Sequence, residues 1–306
     1  MAIEVSVIIP NYNCKQYLAK AIASVVKQAD INLEILVIDD GSTDGSVQWL
    51  EIAKQTFPQI RLLEQPNTGV VLARNRAIEE AQGKYIAFLD ADDYWVDNKI
   101  KDQLDYMKAN SQCSLTFTNY MHVDEEYTPI IDCFSFWPEF QTLVDTESTQ
   151  FQTLDNALSV LLFANVIGTS SVMVKRSAIR AVGAFDKSLK SASDWDCWLK
   201  LAKIGEVGFT TQIGMDYLMR QNSITANREN RLNAMQEILS RSSINTSLNT
   251  KRKAKARMLE CYAEYYRELG LKFKAFVRAV AAFTLFPHRR NLRHLLFDIK
   301  NLFSFG

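Results

Sequence analysis

Four short apolar runs set the limits on what this chain can fold into. Glu4–Pro10 (EVSVIIP), Leu33–Ile38 (LEILVI), Ile60–Glu64 and Tyr85–Leu89 are each of strand length, and one stretch with helical spacing lies between each pair. Runs apolar on both faces suit strands buried inside a parallel sheet. A single helix between successive strands is the crossover that parallel pairing needs. Helices are predicted over 15–28, about 46–56 and 71–81, with Leu18, Ile22, Val25 and Val26 facing inward from the first. The fold class expected is α/β, a mostly parallel sheet flanked by helices. Ligands of such sheets bind beyond the carboxyl ends of the strands.

Two acidic motifs fall at those ends. Asp39-Asp40 closes the second run, and Asp90-Ala91-Asp92-Asp93 closes the fourth. Carboxylates so close together repel one another and cost free energy if buried unpaired. Two readings fit Asp90–Asp93: a solvated acidic turn, or a site where Mg²⁺ or Mn²⁺ bridges one or two carboxylates to substrate phosphates. The first run ends in Pro10-Asn11-Tyr12-Asn13-Cys14, with neither G-x-G-x-x-G nor a P-loop. Phosphate handling is therefore expected of a metal and not of a glycine-rich cradle.

Further along, a helix is predicted over 99–110, a strand over 114–119 and a long polar and aromatic loop or insertion over 124–152. Helix 154–164, strand 168–174 and a short helix over 177–182, ended by Gly183, follow. Ser193-Asp194-Trp195-Asp196 then opens a helix whose tryptophans suit the core, and Ser193 or Asp194 suits its N-cap.

The chain has room for one large domain or two smaller ones, and its charge is uneven. Residues 1–225 hold 19 Lys+Arg against 29 Asp+Glu, whereas residues 226–306 hold 16 against 6. Five scattered cysteines without a C-x-x-C, and three histidines without H-x-x-x-H, point to a reducing compartment and away from zinc. Neither a signal peptide nor a membrane-spanning helix is expected.

The stretches VSVIIPNYN (5–13), LEILVIDDGSTDGS (33–46), NTGVVLARNRAIEEAQGKYIAFLDADD (67–93) and SDWDCWLKLAKIG (193–205) resemble family 2 inverting glycosyltransferases of the GT-A fold, in the family's order. The resemblance covers about residues 4–220. It implies a nucleotide-diphosphate sugar donor, with UDP the expected nucleotide, a divalent Mg²⁺ or Mn²⁺, and inversion at the anomeric carbon. Carried over residue by residue, it puts Asp39 on the donor base, Asp90 toward the ribose and on the metal, and Asp92 on the metal. Pro10, Asn11 and Tyr12 fall in the nucleotide cleft, together with Asp40 and the turn residues Asn67 and Gly69. Arg74 and Arg220 fall near the donor, Arg220 toward its diphosphate. Asp194 matches the catalytic base, although Ser193 stands where the family usually has Glu.

The resemblance implies a GT-A glycosyltransferase domain over 1–225 and leaves a basic, helical C-terminal extension over 226–306. In the extension Leu269, Phe273, Phe276, Val280 and Phe283 share one helix face, as do Leu292, Leu295, Leu296, Ile299, Leu302 and Phe303 after Pro287. Packing on the core or on another copy of the chain, and docking of 270–306 on an anionic membrane, both fit. Nucleic acid is not expected, for want of an aromatic–basic motif. The whole reads as an enzyme of the cytoplasm, peripheral to the inner face of the membrane, that glycosylates a saccharide or lipid-linked saccharide in cell-surface glycan synthesis. Two rivals stand beside it. A sugar-1-phosphate nucleotidyltransferase would carry a glycine-rich N-terminal loop, and a degenerate nucleotide-sugar-binding scaffold would not keep Asp39, Asp90, Asp92 and Asp194 together.

Overall fold

Each apolar run becomes a strand, in a computed structural model that describes residues 2–28, 31–220, 228–244 and 246–303. The first half contains β1 (Val5–Asn11), α1 (Lys15–Val26), β2 (Leu33–Asp39), α2 (Ser46–Thr56), β3 (Ile60–Glu64), α3 (Val70–Glu80), β4 (Tyr85–Phe88), β5 (Tyr94–Trp95), α4 (Lys99–Ala109) and β6 (Cys113–Val123). Next come β7 (Pro129–Asp132), α5 (Cys133–Phe136), α6 (Pro138–Gln141), β8 (Gln152–Thr153), α7 (Ala157–Phe163), β9 (Val172–Lys175), α8 (Arg176–Ala181), α9 (Ser193–Ile204) and β10 (Glu206–Leu218). The chain closes with α10 (Arg228–Ser242), α11 (Leu248–Glu268), α12 (Lys272–Leu285) and α13 (Arg289–Phe303).

The sheet runs β3-β2-β1-β4-β9-β6-β10-β5, with β7 beside β6 and β8 beside β10. The four strands read from the apolar runs are parallel neighbours, as expected. Beyond them β9 lies antiparallel to both β4 and β6, so the sheet is mixed. Register aligns the functional ends: Asn11 sits opposite Asp39, and Asp39 opposite Glu64. At the same edge the Leu89 N–H donates to the Ile8 carbonyl (3.0 Å) and the Asp40 N–H to the Asn11 carbonyl (2.8 Å).

Val7, Ile8, Ile9 and Ile35–Ile38 are fully buried, as their β-branched runs require. From α1, Leu18, Ile22 and Val25 pack inward. The stretch expected as a long loop or insertion over 124–152 holds β7, α5 and α6. Its aromatics explain the order: Phe134 and Phe140 are buried at a 4.7 Å ring separation, and both meet Phe209 of β10. The strand expected from 168 starts only at Val172, because Thr169–Ser171 form a 3-10 turn.

The chain divides into two compact units. The first comprises Met1–Ala157, Val166–Ser188 and Ser193–Gln221, and holds the sheet. The second comprises Leu158–Asn165, Leu189–Ala192 and Asn222–Gly306, so it takes in two short pieces that precede the helices α10–α13. The domain boundary expected at 225, and residues 304–306 of the extension, lie outside the described residues.

Candidate active site

At the carboxyl edge of the parallel strands the first carboxylate is Asp39. It is buried, accepts the Asn11 Nδ2 donor at 2.7 Å and the Ser42 N–H at 2.8 Å, and so fixes the turn after β2 onto the turn after β1. Asn11 Oδ1 is buried with no partner among the described residues, a polar atom left for a ligand. Pro10 is half-buried beside it, and Tyr12 is 51% exposed at the rim.

Asp40 turns to the neighbouring loop. Its Oδ1 accepts from Gln65 Nε2 (2.8 Å) and the Thr68 N–H (2.9 Å), and its Oδ2 from the Gly69 N–H (2.8 Å). Burial pushes this carboxyl up, but the donors from Gln65, Thr68 and Gly69 together outweigh it and hold the pKa below the ordinary value. Asn67 is exposed on that loop, and Gly69 opens α3 at φ +93°, a backbone angle side-chain-bearing residues avoid. Gly41 meets the same constraint at φ +80°, where a Cβ would also fall 2.9 Å from the Asn67 nitrogen.

The Asp90–Asp93 cluster is split three ways. Asp90, part-exposed, pairs with the buried Arg74 of α3. Asp92 pairs with Arg220, whose guanidinium lies 5.2 Å from the centre of the Tyr17 ring and whose Nη1 reaches Cys14 Sγ (3.9 Å). Asp93 is buried, accepting from Ser170 Oγ (2.6 Å) and from the Leu218 N–H (3.1 Å). Ser170 Oγ also accepts the Asp90 N–H (2.9 Å), so the 3-10 turn braces the acidic loop from below. Burial would lower the Arg74 pKa; the charges of Asp90, Asp194 and Asp93 reverse that and raise it. Burial, then the Asp90 charge, raises the Asp92 carboxyl despite Arg220.

Asp194 lies in the first turn of α9. Its Oδ1 accepts the N–H of the next residue, Trp195 (2.8 Å), and not one two or three residues on as the expected N-cap would, and its Oδ2 accepts the Thr169 hydroxyl (3.2 Å). One turn on, Trp198 anchors α9 behind the acidic loop, with ring centres 5.8 Å from Phe88 of β4 and 5.7 Å from Phe185. Asn75 of α3 grips the Phe185 backbone from the other side, donating to its carbonyl (2.8 Å) and accepting its N–H (3.0 Å).

Sequence reasoning missed Tyr217, which ends three residues before Arg220 in the stretch YLMR. Burial raises its phenol pKa first, and then Asp93, Asp90, Asp92 and Asp194 each raise it further.

A divalent cation would relieve the repulsion that lifts Asp92. Among the described residues no group of three His, Cys, Asp or Glu side chains could hold a metal ion. Two carboxylates alone suit an ion that completes its shell with phosphate oxygens and water, which is how Mg²⁺ binds and how Mn²⁺, also an oxygen-preferring ion, can bind. Asp90 and Asp92 fit that group.

Comparison with known proteins bears on the family and the fold. A family model described as Glycosyl transferase family 2 matches residues 6–175. The chain is 32% identical over 226 residues to a protein of Bacillus subtilis (strain 168) named putative teichuronic acid biosynthesis glycosyltransferase TuaG, covering 73% of this chain and 82% of the relative. In three dimensions it is similar to S. aureus TarS 1-349, solved in complex with UDP-GlcNAc (TM-score 0.68, 18% identity, 92% of this chain and 81% of that one). It is also similar to the mannosyltransferase PcManGT of Pyrobaculum calidifontis, solved with GDP-Man and Mn²⁺ (TM-score 0.63, 16% identity, 100% and 89%).

Proposed function

The chain belongs to glycosyl transferase family 2 and has the GT-A fold, and from that premise we propose a metal-dependent, inverting transfer of a sugar from a nucleoside diphosphate to a hydroxyl acceptor. The donor nucleotide is UDP, and the acceptor is a saccharide or lipid-linked saccharide in cell-surface polysaccharide synthesis. The observation that carries this reading is that one short turn joins two carboxylate segments about a hundred residues apart in sequence: Thr169 donates to Asp194, and the neighbouring Ser170 hydroxyl accepts the Asp90 N–H.

The contacts support a role for each residue. Asn11 and Asp39 receive the nucleoside, and the unpartnered Asn11 Oδ1 offers it an acceptor. Arg74 holds Asp90 toward the ribose. Arg220, at the rim with Asp92, faces the diphosphate. Asp194 takes the proton of the attacking hydroxyl at a carboxylate oxygen, because a neutral sugar hydroxyl is a poor nucleophile. Thr169 and the Trp195 N–H fix that carboxylate's orientation while leaving it further lone pairs. A Mg²⁺ or Mn²⁺ ion on Asp90 and Asp92 would supply Lewis-acid stabilisation of the departing diphosphate. No helix among the described residues is long and apolar enough to cross a membrane, and we take the enzyme to act in the cytoplasm, peripheral to the membrane.

Asp194→Asn tests the assignment. Asparagine keeps the size of the side chain and its acceptor oxygen, so donor affinity and melting temperature should hold. The transfer rate should fall by roughly 10²- to 10⁴-fold, the usual worth of a general base. Near-normal kcat would return Asp194 to the role of a helix-opening carboxylate, and a product that retains the donor's anomeric configuration would exclude inversion.

A further inference from the structure

The last two helices are built inside out. In α12 the fully buried positions are alanines, Ala275, Ala279 and Ala282, while Phe273 is 70% exposed and Val277 and Val280 also face solvent. In α13 the buried positions are polar. Asp298 receives a two-pronged hydrogen bond from Arg267 of α11 (2.7 and 2.9 Å), and Asn291 donates to the Phe286 carbonyl (2.8 Å). Leu292, Leu296 (56% exposed), Phe297 (53% exposed) and Ile299 point outward. The apolar periodicity of the sequence is real, but it does not describe a core-facing surface. Large apolar side chains left in water at helical spacing mark a docking face.

Charge says what docks there. Between Leu269 and Phe303 the chain has seven basic residues and a single acidic one, Asp298, which is buried and paired. Lys272, Lys274, Arg278, Arg289, Arg293 and Lys300 are all exposed around the apolar side chains. A second copy pressed face to face would set these cations against each other. A nucleic acid would leave the apolar side chains without a partner. An anionic bilayer satisfies both features, since acyl chains take the apolar side chains and headgroups take the cations. We propose that α12 and α13 form an interfacial docking surface for anionic lipid, lying on the bilayer without crossing it.

This inference rests on α11–α13 and not on the transferase reading, because sedimentation with vesicles reports lipid binding whether or not sugar is transferred. The full chain should co-sediment with vesicles of phosphatidylcholine and phosphatidylglycerol at low salt, less so as salt rises, and little with phosphatidylcholine alone. Lys274→Gln with Arg293→Gln should weaken binding about 30-fold, at roughly 1 kcal/mol per basic residue. Phe273→Asp with Leu296→Asp should abolish it, with an unchanged melting temperature because both positions are exposed. Three results would overturn the proposal: no binding to anionic vesicles at low salt, full binding by the aspartate variant, or a dimer in light scattering that the aspartate variant dissociates.

Discussion

Asp39 and Asp40 are adjacent in sequence and part company in the fold, because successive residues at a strand end face opposite ways. Asp39 turns to Asn11 and the proposed nucleotide cleft, and Asp40 ties down the loop that carries Asn67 and Gly69. Asp40→Asn should therefore act mainly on stability. An amide presents one acceptor oxygen and turns its NH₂ toward a backbone donor, which costs about 1–3 kcal/mol for a buried unsatisfied pair. The pH dependence has a definite sign. The folded pKa of Asp40 is depressed, so the carboxylate's stabilisation is complete above its unfolded value of about 3.9. It is lost as pH falls through the lower folded value. The difference in melting temperature between wild type and Asp40→Asn should be constant near neutrality and narrow below about pH 4. A gap that persists in acid would mean that hydrogen-bond geometry, and not the charge, stabilises the loop.

At the scale of elements, the 3-10 turn Thr169–Ser171 gathers more of the site than any strand does. Thr169 meets Asp194, Ser170 meets both Asp90 and Asp93, the Ser170 carbonyl accepts Trp95 Nε1 (2.7 Å), and the Ser171 carbonyl accepts Gln103 Nε2 (3.0 Å). The sequence signals of this turn are weak, since small hydroxyl residues suit a strand entry, a turn and a buried contact equally. Ser170→Ala removes one hydroxyl that both donates and accepts, and should cost about 1–3 kcal/mol in chemical unfolding. An unchanged midpoint would mean that water replaces the hydroxyl. Trp198→Ala should cost more, about 3–5 kcal/mol for emptying a packed aromatic site. It should also loosen α9 against β4, so transfer should fall more steeply than donor affinity.

Across the whole molecule, legibility followed burial. The parallel half of the sheet could be read because strands buried on both faces are apolar at nearly every position, the buried exceptions Ser6 and Glu34 satisfying each other at 2.6 Å, and Asp39, Asp90 and Asp92 could be located at the strand ends because each follows such a run. The direction of β9 could not be read, since a strand's composition is the same either way round. Tyr217 and the pairing of Arg74 with Asp90 depend on contacts between distant segments, which leave no local period. The helices of the extension were legible as helices but not as faces, because periodicity shows that apolar residues share a side and is silent about what covers it.

The distribution of tryptophan offers a test at this largest scale. Trp49, Trp95, Trp137, Trp195 and Trp198 all fall in the unit that holds the sheet, whereas α10–α13 supply much of the helix of the other unit. Tryptophan fluorescence should therefore report unfolding of the sheet-bearing unit, and far-ultraviolet circular dichroism should weigh the helices as well. A ligand that binds only the native state stabilises it by RT ln(1 + [L]/Kd), about 2.7 kcal/mol at a hundredfold excess over Kd. For a unit of this size that is a shift of roughly 5–10 °C. UDP with Mn²⁺ should raise the fluorescence midpoint by about that much, and chelator should remove most of the gain. Asp92→Asn should lose the metal-dependent part of the shift while keeping its own unliganded midpoint, because Asp92 is part-exposed and its ion pair is with the part-exposed Arg220. The Phe273→Asp and Leu296→Asp pair should shift with ligand as fully as wild type, since neither residue belongs to the sheet-bearing unit. A nucleotide shift indifferent to chelator would remove the metal from Asp90 and Asp92, and the absence of any shift with UDP, GDP or other nucleoside diphosphates would remove the donor site itself.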